Sequence, residues 1–268
     1  MNKKNHIPIY HIAGMARSGE TMLLHILSKN SSVNIVHNMR KKDRMYEEYF
    51  FRYLSKFPNK SINRFYPLAL PYKIKKNDVL VIKQGVWEHR YPFSGIILTR
   101  NPLSIFSSLR EYDSKNGMNW EYNWKYYRLP RLISWLKDID KSLIISFKNK
   151  SPIEQFCLFY NRRMSSLAKL NHPIIRYEEL VLEPEIQIKK ICEYFKIDYE
   201  EKMLIFNNNN KIGHGKFDPK RSIDTKSIEK YFSYLNANEM DLIIESTRNV
   251  SNSFGYKFNK NRTLNINH

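Results

Sequence analysis

The sequence predicts an α/β fold in which a central parallel sheet carries helices on both faces. Three observations predict it. Short apolar runs of strand length recur at 6–13, 78–83, 93–99 and 173–177. Segments with helical spacing of apolar residues alternate with them. The first run leads through a loop bracketed by Gly14 and Gly19 into a helix, a strand–loop–helix order suited to holding an anion.

Each element has its own justification. "HIPIYHIA", 6–13, turns apolar before Gly14 and reads as a buried strand. "TMLLHILSK", 21–29, places Met22, Leu23, Ile26 and Leu27 on one helical stripe. "NIV", 34–36, can form a further strand, whereas 39–76 is mixed and aromatic without a clear period. "DVLVIK", 78–83, and "FSGIILT", 93–99, are strands, the latter apolar enough to be fully buried. Pro102 stands where a helix can begin, since a first-turn N–H has no intrahelical partner anyway, and "LSIFSSLREY" continues it. "NWEYNWKYYRLPRLISWLKDID", 119–140, is an aromatic helical segment that Pro130 is expected to break. A helix over 153–170, a strand over 173–177 and an amphipathic helix over 183–197 follow. The last of these offers Ile186, Ile188, Ile191, Cys192 and Phe195 to a core. A polar loop then precedes helices near 226–235 and 237–249.

Composition narrows the function. Hydrophobic residues make up 42% of the 268, enough for a sizeable core in one domain. No apolar run approaches the ~18 residues of a membrane span. The basic start "MNKKNHIPIYHIAG" runs straight into the loop, so a cleaved leader is not expected and the compartment is expected to be cytoplasmic. Cys157 and Cys192 sit in apolar helical patterns and read as buried free thiols rather than metal ligands. The net charge of +19 favours an anionic ligand, nucleic acid or peripheral contact with a lipid surface. The cations are spread along the chain without interleaved stacking aromatics, so no nucleic-acid partner is expected.

The loop "GMARSGETMLL" carries the first chemistry. Gly14, four residues, Gly19 and then Thr21 follow the spacing of a phosphate loop, but Glu20 occupies the place of the usual lysine. The cation appears earlier, as Arg17, which can donate two parallel hydrogen bonds to a phosphate. Ser18 and Thr21 add hydroxyls, and the helix N-terminus adds partial positive charge. In "GIILTRNPLSIFSSLREY", Arg100 leaves a buried strand and Ser108 lies eight residues on along the next helix. A ligand touching both would occupy the carboxyl edge of the sheet, where open α/β folds bind. Alone, each segment also fits an ordinary strand–helix turn.

Together, and in this order, the two segments resemble sulfotransferases that use 3′-phosphoadenylyl sulfate (PAPS). "GMARSGETMLL" is similar to the family's loop for the 5′-phosphosulfate, and "LTRNPLSIFSSL" to its 3′-phosphate segment. "IIRYEELVLEPEIQIKKICEYFKI" resembles a third family segment. The resemblance runs from about Ile7 to Leu235 and is nearest the bacterial and Golgi-type branch with an Arg-Ser-Gly loop. It implies a three-layer fold like that of the P-loop NTPases, a PAPS cosubstrate and no required metal. Arg17 would face the bridging region of the phosphosulfate. Ser18, Gly19, Glu20 and Thr21 would hold the 5′-phosphate, largely through their amides, with the Glu20 side chain turned elsewhere. Arg100 and Ser108 would hold the 3′-phosphate, with Tyr177 near the adenine and 3′-phosphate region. Arg221, Ser222, Lys226 and Lys230 are candidates for a segment closing over the nucleotide, and His214 for the acceptor side.

An alcohol acceptor needs a base. The resemblance places one about twenty residues after the loop arginine, where His37 stands, with Glu47, Glu48 and Glu20 as rivals. The acceptor is expected to be a saccharide or small hydroxylated metabolite. Trp120, Trp124, Tyr127 and Trp135 offer a face that could stack on it, or simply fill a core. One domain is expected over 1–268, with 113–150 as an acceptor-side insertion and 250–268 as a tail. A degenerate P-loop kinase and a basic nucleic-acid-binding protein are the rival functions.

Overall fold

A computed structural model describes residues 8–36, 79–83, 94–205, 223 and 225–265. Strands β1 (Ile9–Gly14), β2 (Val33–Val36), β3 (Val79–Lys83), β4 (Ser94–Thr99) and β5 (Ile174–Arg176) form one parallel sheet in the order β2-β3-β1-β4-β5. The register sets Ile9 against Leu80 and Val33 against Val79. The chain divides into two compact units. The first comprises 1–13, 19–97 and 183–223, and the second 14–18, 98–182 and 224–268.

In the first unit, helix α1 (Glu20–Leu27) buries Leu23, Leu24, Ile26 and Leu27 completely. Each such side chain contributes roughly 1.5–3 kcal/mol relative to exposure. Tyr10 of β1 stacks on Phe195 with ring centroids 4.5 Å apart. Gly95 is required where β4 passes β1: a Cβ there would lie 2.3 Å from the carbonyl oxygen of His11. The side chain of Asn30 donates to the Asp198 carbonyl at 2.7 Å, tying the end of α1 to the chain beyond Phe195.

The second unit is built on α2 (Pro102–Lys115). Asn101 caps it, accepting from the Ser104 amide at 2.8 Å. A helical stretch follows as α3 (Trp120–Asn123), a π-helical turn Trp124–Arg128, and α4 (Leu129–Ile139). Pro130 therefore does not break the segment. The Leu129 amide reaches back five residues to the Trp124 carbonyl, and this wider turn lets the proline be carried at the start of α4. Then come α5 (Leu143–Lys148), α6 (Pro152–Ala168) and the short α7 (Tyr177–Leu182), which directly follows β5. In the first unit α8 (Pro184–Phe195) covers the region predicted helical at 183–197.

The helix expected near 226–235 is instead two 3-10 turns, Thr225–Ser227 and Lys230–Ser233. Carbonyls that an α-helix would use internally are taken by side chains: Arg100 Nη2 donates to Ser227 O at 2.9 Å and Ser104 Oγ to Ile228 O at 2.9 Å. Helix α9 (Ala237–Ser253) carries a full capping box between Asn236 and Glu239 and packs on α6. Within 250–268, Tyr256 is buried and its hydroxyl lies 2.8 Å from Thr99 Oγ1, and β6 (Lys257–Phe258) pairs with β7 (Leu264–Asn265). Both cysteines are free and buried, and burial pushes the thiols up, Cys157 to about 12 and Cys192 to about 11. They are inert thiols at neutral pH. Among the described residues, no helix is long and apolar enough to cross a membrane.

Candidate anion-binding active site

The loop after β1 folds as a tight turn, with the Ser18 amide donating to Met15 O at 3.0 Å. Arg17 and Gly19 both have left-handed backbones, φ 79° and 97°. Glycine adopts this freely, but for arginine it costs roughly 1–2 kcal/mol. The strain is held by what the side chain meets. Arg17 Nε donates to Ser108 Oγ at 3.0 Å, and its guanidinium lies 5.4 Å from the centre of the Tyr112 ring. Ser108 and Tyr112 share a face of α2, four residues apart.

Arg100 is buried beside them. Its Nη1 donates to Arg17 O at 3.0 Å, and its guanidinium covers the Tyr177 ring at 4.1 Å. The Tyr177 hydroxyl lies 2.9 Å from Ser227 Oγ. Thus Arg17, Arg100, Ser108 and Tyr177, singled out from three separate stretches of sequence, meet in one place. Burial pushes the Arg17 guanidinium pKa down, and the charges of Arg100 and Arg128 push it further. Ser18 Oγ, Arg100 Nε and Arg128 Nε are buried, with no partner among the described residues. All three can donate. A cluster of cations with unpaired donors is matched chemically by an anion.

Glu178 holds this arrangement. It is 1% exposed, and its Oε1 accepts from the Asn101 amide at 3.0 Å and from Asn101 Nδ2 at 2.7 Å. That fixes the cap of α2 next to Arg100. Glu178→Ala would take the acceptor from the buried Asn101 amide and one of the two acceptors from Asn101 Nδ2, which keeps Ser104 Oγ. It is expected to cost about 2–4 kcal/mol in urea unfolding. A loss under about 0.5 kcal/mol, the range of an ordinary surface substitution, would show that Asn101 needs no clamp.

In the first unit, Glu20 is buried at the start of α1, and its carboxylate pairs with Lys83 Nζ at 3.4 Å. Thr21 is half-buried on the same turn. The acid in the usual lysine position therefore has its own cation, at the end of β3.

A family model for the sulfotransferase domain matches residues 10–240. The chain belongs to the sulfotransferase family. Solved structures agree on the fold. The sulfotransferase domain from the curacin biosynthetic pathway is 14% identical with a TM-score of 0.58, over 94% of this chain and 98% of that one. The sulfotransferase domain of the Synechococcus PCC 7002 olefin synthase is 16% identical with a TM-score of 0.57, over 97% and 98%. No curated protein matches this sulfotransferase in sequence.

The other sequence candidates fall into two groups. Lys230 pairs with Glu111, which Lys115 also engages at 2.5 Å. Burial would raise the Glu111 carboxyl, but the two lysines hold it below the usual range. Lys226 is exposed. His37, Glu47, Glu48, His214, Arg221 and Ser222 lie outside the described residues. In the aromatic segment, Trp124 is buried against Phe106, with ring centroids 6.2 Å apart. The Trp120 ring has the Arg110 and Arg128 guanidinium groups 5.3 and 5.8 Å from its centre. Three contributors were not singled out from the sequence: Tyr112, Ser227 and Arg128. Tyr112 had a signal, since it shares a helical face with Ser108. Ser227 and Arg128 had none, because only tertiary packing brings them to α2 and Arg100.

Proposed function

We propose that this sulfotransferase takes its sulfuryl group from PAPS and passes it to a hydroxyl or amine acceptor, most simply a saccharide or small metabolite. The observation that carries the reading is the meeting of Arg17, Arg100 and Ser108 beside donors that have no partner among the described residues. In this reading Arg100, stacked on Tyr177, and Ser108 hold the 3′-phosphate. Arg17, Ser18 and the amides from Gly19 to Thr21 hold the 5′-phosphosulfate. Glu20 contributes its amide, since its carboxylate is engaged by Lys83. Lys226 and Lys230, with Arg221 and Ser222, belong to the segment that closes over the nucleotide.

The reaction is an in-line displacement at sulfur. The acceptor oxygen bonds to sulfur, the bond from sulfur to the bridging oxygen breaks, and adenosine 3′,5′-bisphosphate leaves. The acceptor's proton goes to a base, for which His37 is the candidate. Negative charge grows on the bridging oxygen, where a fixed guanidinium contributes about 3–4 kcal/mol.

The test is calorimetry with adenosine 3′,5′-bisphosphate, adenosine 5′-phosphate and ATP, each with magnesium and with chelator. Binding of the bisphosphate is expected to survive chelator and to exceed that of the 5′-phosphate by at least about tenfold, the worth of one charge-assisted contact. Equal affinity for the two would remove Arg100 and Ser108 from the 3′-phosphate. Tight binding of ATP alone, dependent on magnesium, would favour the kinase reading.

A further inference from the structure

We propose that Arg128 is a third anion-binding guanidinium of the transfer site and that it takes the sulfonate of the donor. The inference rests on the PAPS reading and deepens it. Arg128 ends the π-helical turn Trp124–Arg128, in the segment read from the sequence as the acceptor-side insertion. It reaches the same helix as Arg17. Arg17 meets Ser108 and Tyr112, and Arg128 meets Leu109 and Asp113, one residue further along each time. Arg100 sits at the N-terminal end of the same helix, next to the Asn101 cap, and donates to Arg17 O. Arg100 thus lies at the start of α2, while Arg17 and Arg128 both meet its middle at neighbouring residues. The donor's anionic groups come in the order 3′-phosphate, 5′-phosphate, sulfonate. With Arg100 on the 3′-phosphate and Arg17 at the bridge, Arg128, which meets α2 beside Arg17, is the cation left for the sulfonate.

The hydrogen bonding of Arg128 leaves it capacity. Its contacts to the buried Asp113 carboxylate and to the Leu109 carbonyl both run through Nη2. Its Nε–H is buried with no partner among the described residues. Asp113 also accepts from Asn123, so its charge is shared between two donors. One edge of the guanidinium is thus pinned to α2 while donors remain for a ligand. The π-turn supplies the placement: a residue inserted in a helix rotates the next turn about the axis, and such turns concentrate at functional sites. The plain alternative is that Arg128 only cross-links the aromatic segment to α2.

PAPS and adenosine 3′,5′-bisphosphate differ only in the sulfonate, so their affinities separate the two accounts. Calorimetry without acceptor is expected to show Arg128→Gln weakening PAPS by about tenfold or more, while the bisphosphate stays within about threefold of wild type. Arg128→Lys keeps an ammonium for Asp113 but loses the planar fork, so it guards against simple misfolding. It should show an intermediate loss for PAPS and none for the bisphosphate. Equal losses for both ligands, or no loss for either, would overturn the proposal. Wild-type protein binding neither ligand would overturn the PAPS reading itself, and this inference with it.

Discussion

Replacing His37 with alanine is expected to lower turnover by about 10²–10⁴-fold while leaving affinity for adenosine 3′,5′-bisphosphate near wild type. The residue's place in the chain supports this outcome. Strand β2 ends at Val36, and His37 is the next residue. β2 runs parallel to β3, which runs parallel to β1. The chain therefore leaves β2 at the carboxyl edge of the sheet, the edge at which the β1 loop also begins. An imidazole with an ordinary pKa near ~6.5 can accept a proton at neutral pH. A base must be unprotonated to act. Wild-type kcat/KM should therefore rise with pH through that region, and the variant should lose this limb. The measurement is a pH–rate profile for both proteins. Normal turnover in His37→Ala would pass the role to Glu47 or Glu48. A variant that loses nucleotide binding as well would make His37 a binding residue instead.

The sheet was legible because its strands are short apolar runs closed off by loop-forming residues. The observed strands Val79–Lys83 and Ser94–Thr99 fall within the expected 78–83 and 93–99. Fully buried parallel strands need continuous apolar side chains, and that demand writes itself into the sequence. Arg17, Ser108, Arg100 and Tyr177 were singled out for a different reason: their segments resemble those of the sulfotransferase family. What the sequence hid was tertiary. Pro130 signalled a break, yet the π-turn absorbed it, because neighbours such as Phe106 and Gln155 hold Trp124 in place. Residues 226–235 carried a helical pattern. Arg100 and Ser104 claim the carbonyls that such a helix would need. Arg128 looked like one more cation in a chain with a net charge of +19. Only the packing of its segment against α2 distinguishes it.

Arg17 and Arg100 are expected to fail in different ways when replaced. They are neighbours, since Arg100 Nη1 donates to the carbonyl of Arg17, so proximity alone does not separate their roles. Their surroundings do. Arg100 is stacked on Tyr177 and bonded to two carbonyls, a rigid placement suited to a phosphate whose charge is constant through the reaction. Arg17 extends from a left-handed backbone position in the loop itself and makes its hydrogen bond through Nε to Ser108. In the proposed pose it faces the bridging oxygen, where charge appears only as the bond to sulfur breaks. Contacts that strengthen in the transition state act on turnover, and contacts equal in both states act on binding. Arg17→Lys is therefore expected to lower kcat by about 10²–10³-fold with a modest change in the Michaelis constant for PAPS. Arg100→Lys is expected to raise that constant by about tenfold or more with a smaller effect on kcat. Lysine is the sharper replacement at both positions, because it keeps the charge and removes the two-pronged donor. Steady-state kinetics with PAPS varied at saturating acceptor reads both quantities. If Arg17→Lys changes only the Michaelis constant and Arg100→Lys only kcat, the nucleotide lies the other way round. The bridging oxygen would then sit against Arg100 on its tyrosine, and the 3′-phosphate against Arg17 and Ser108.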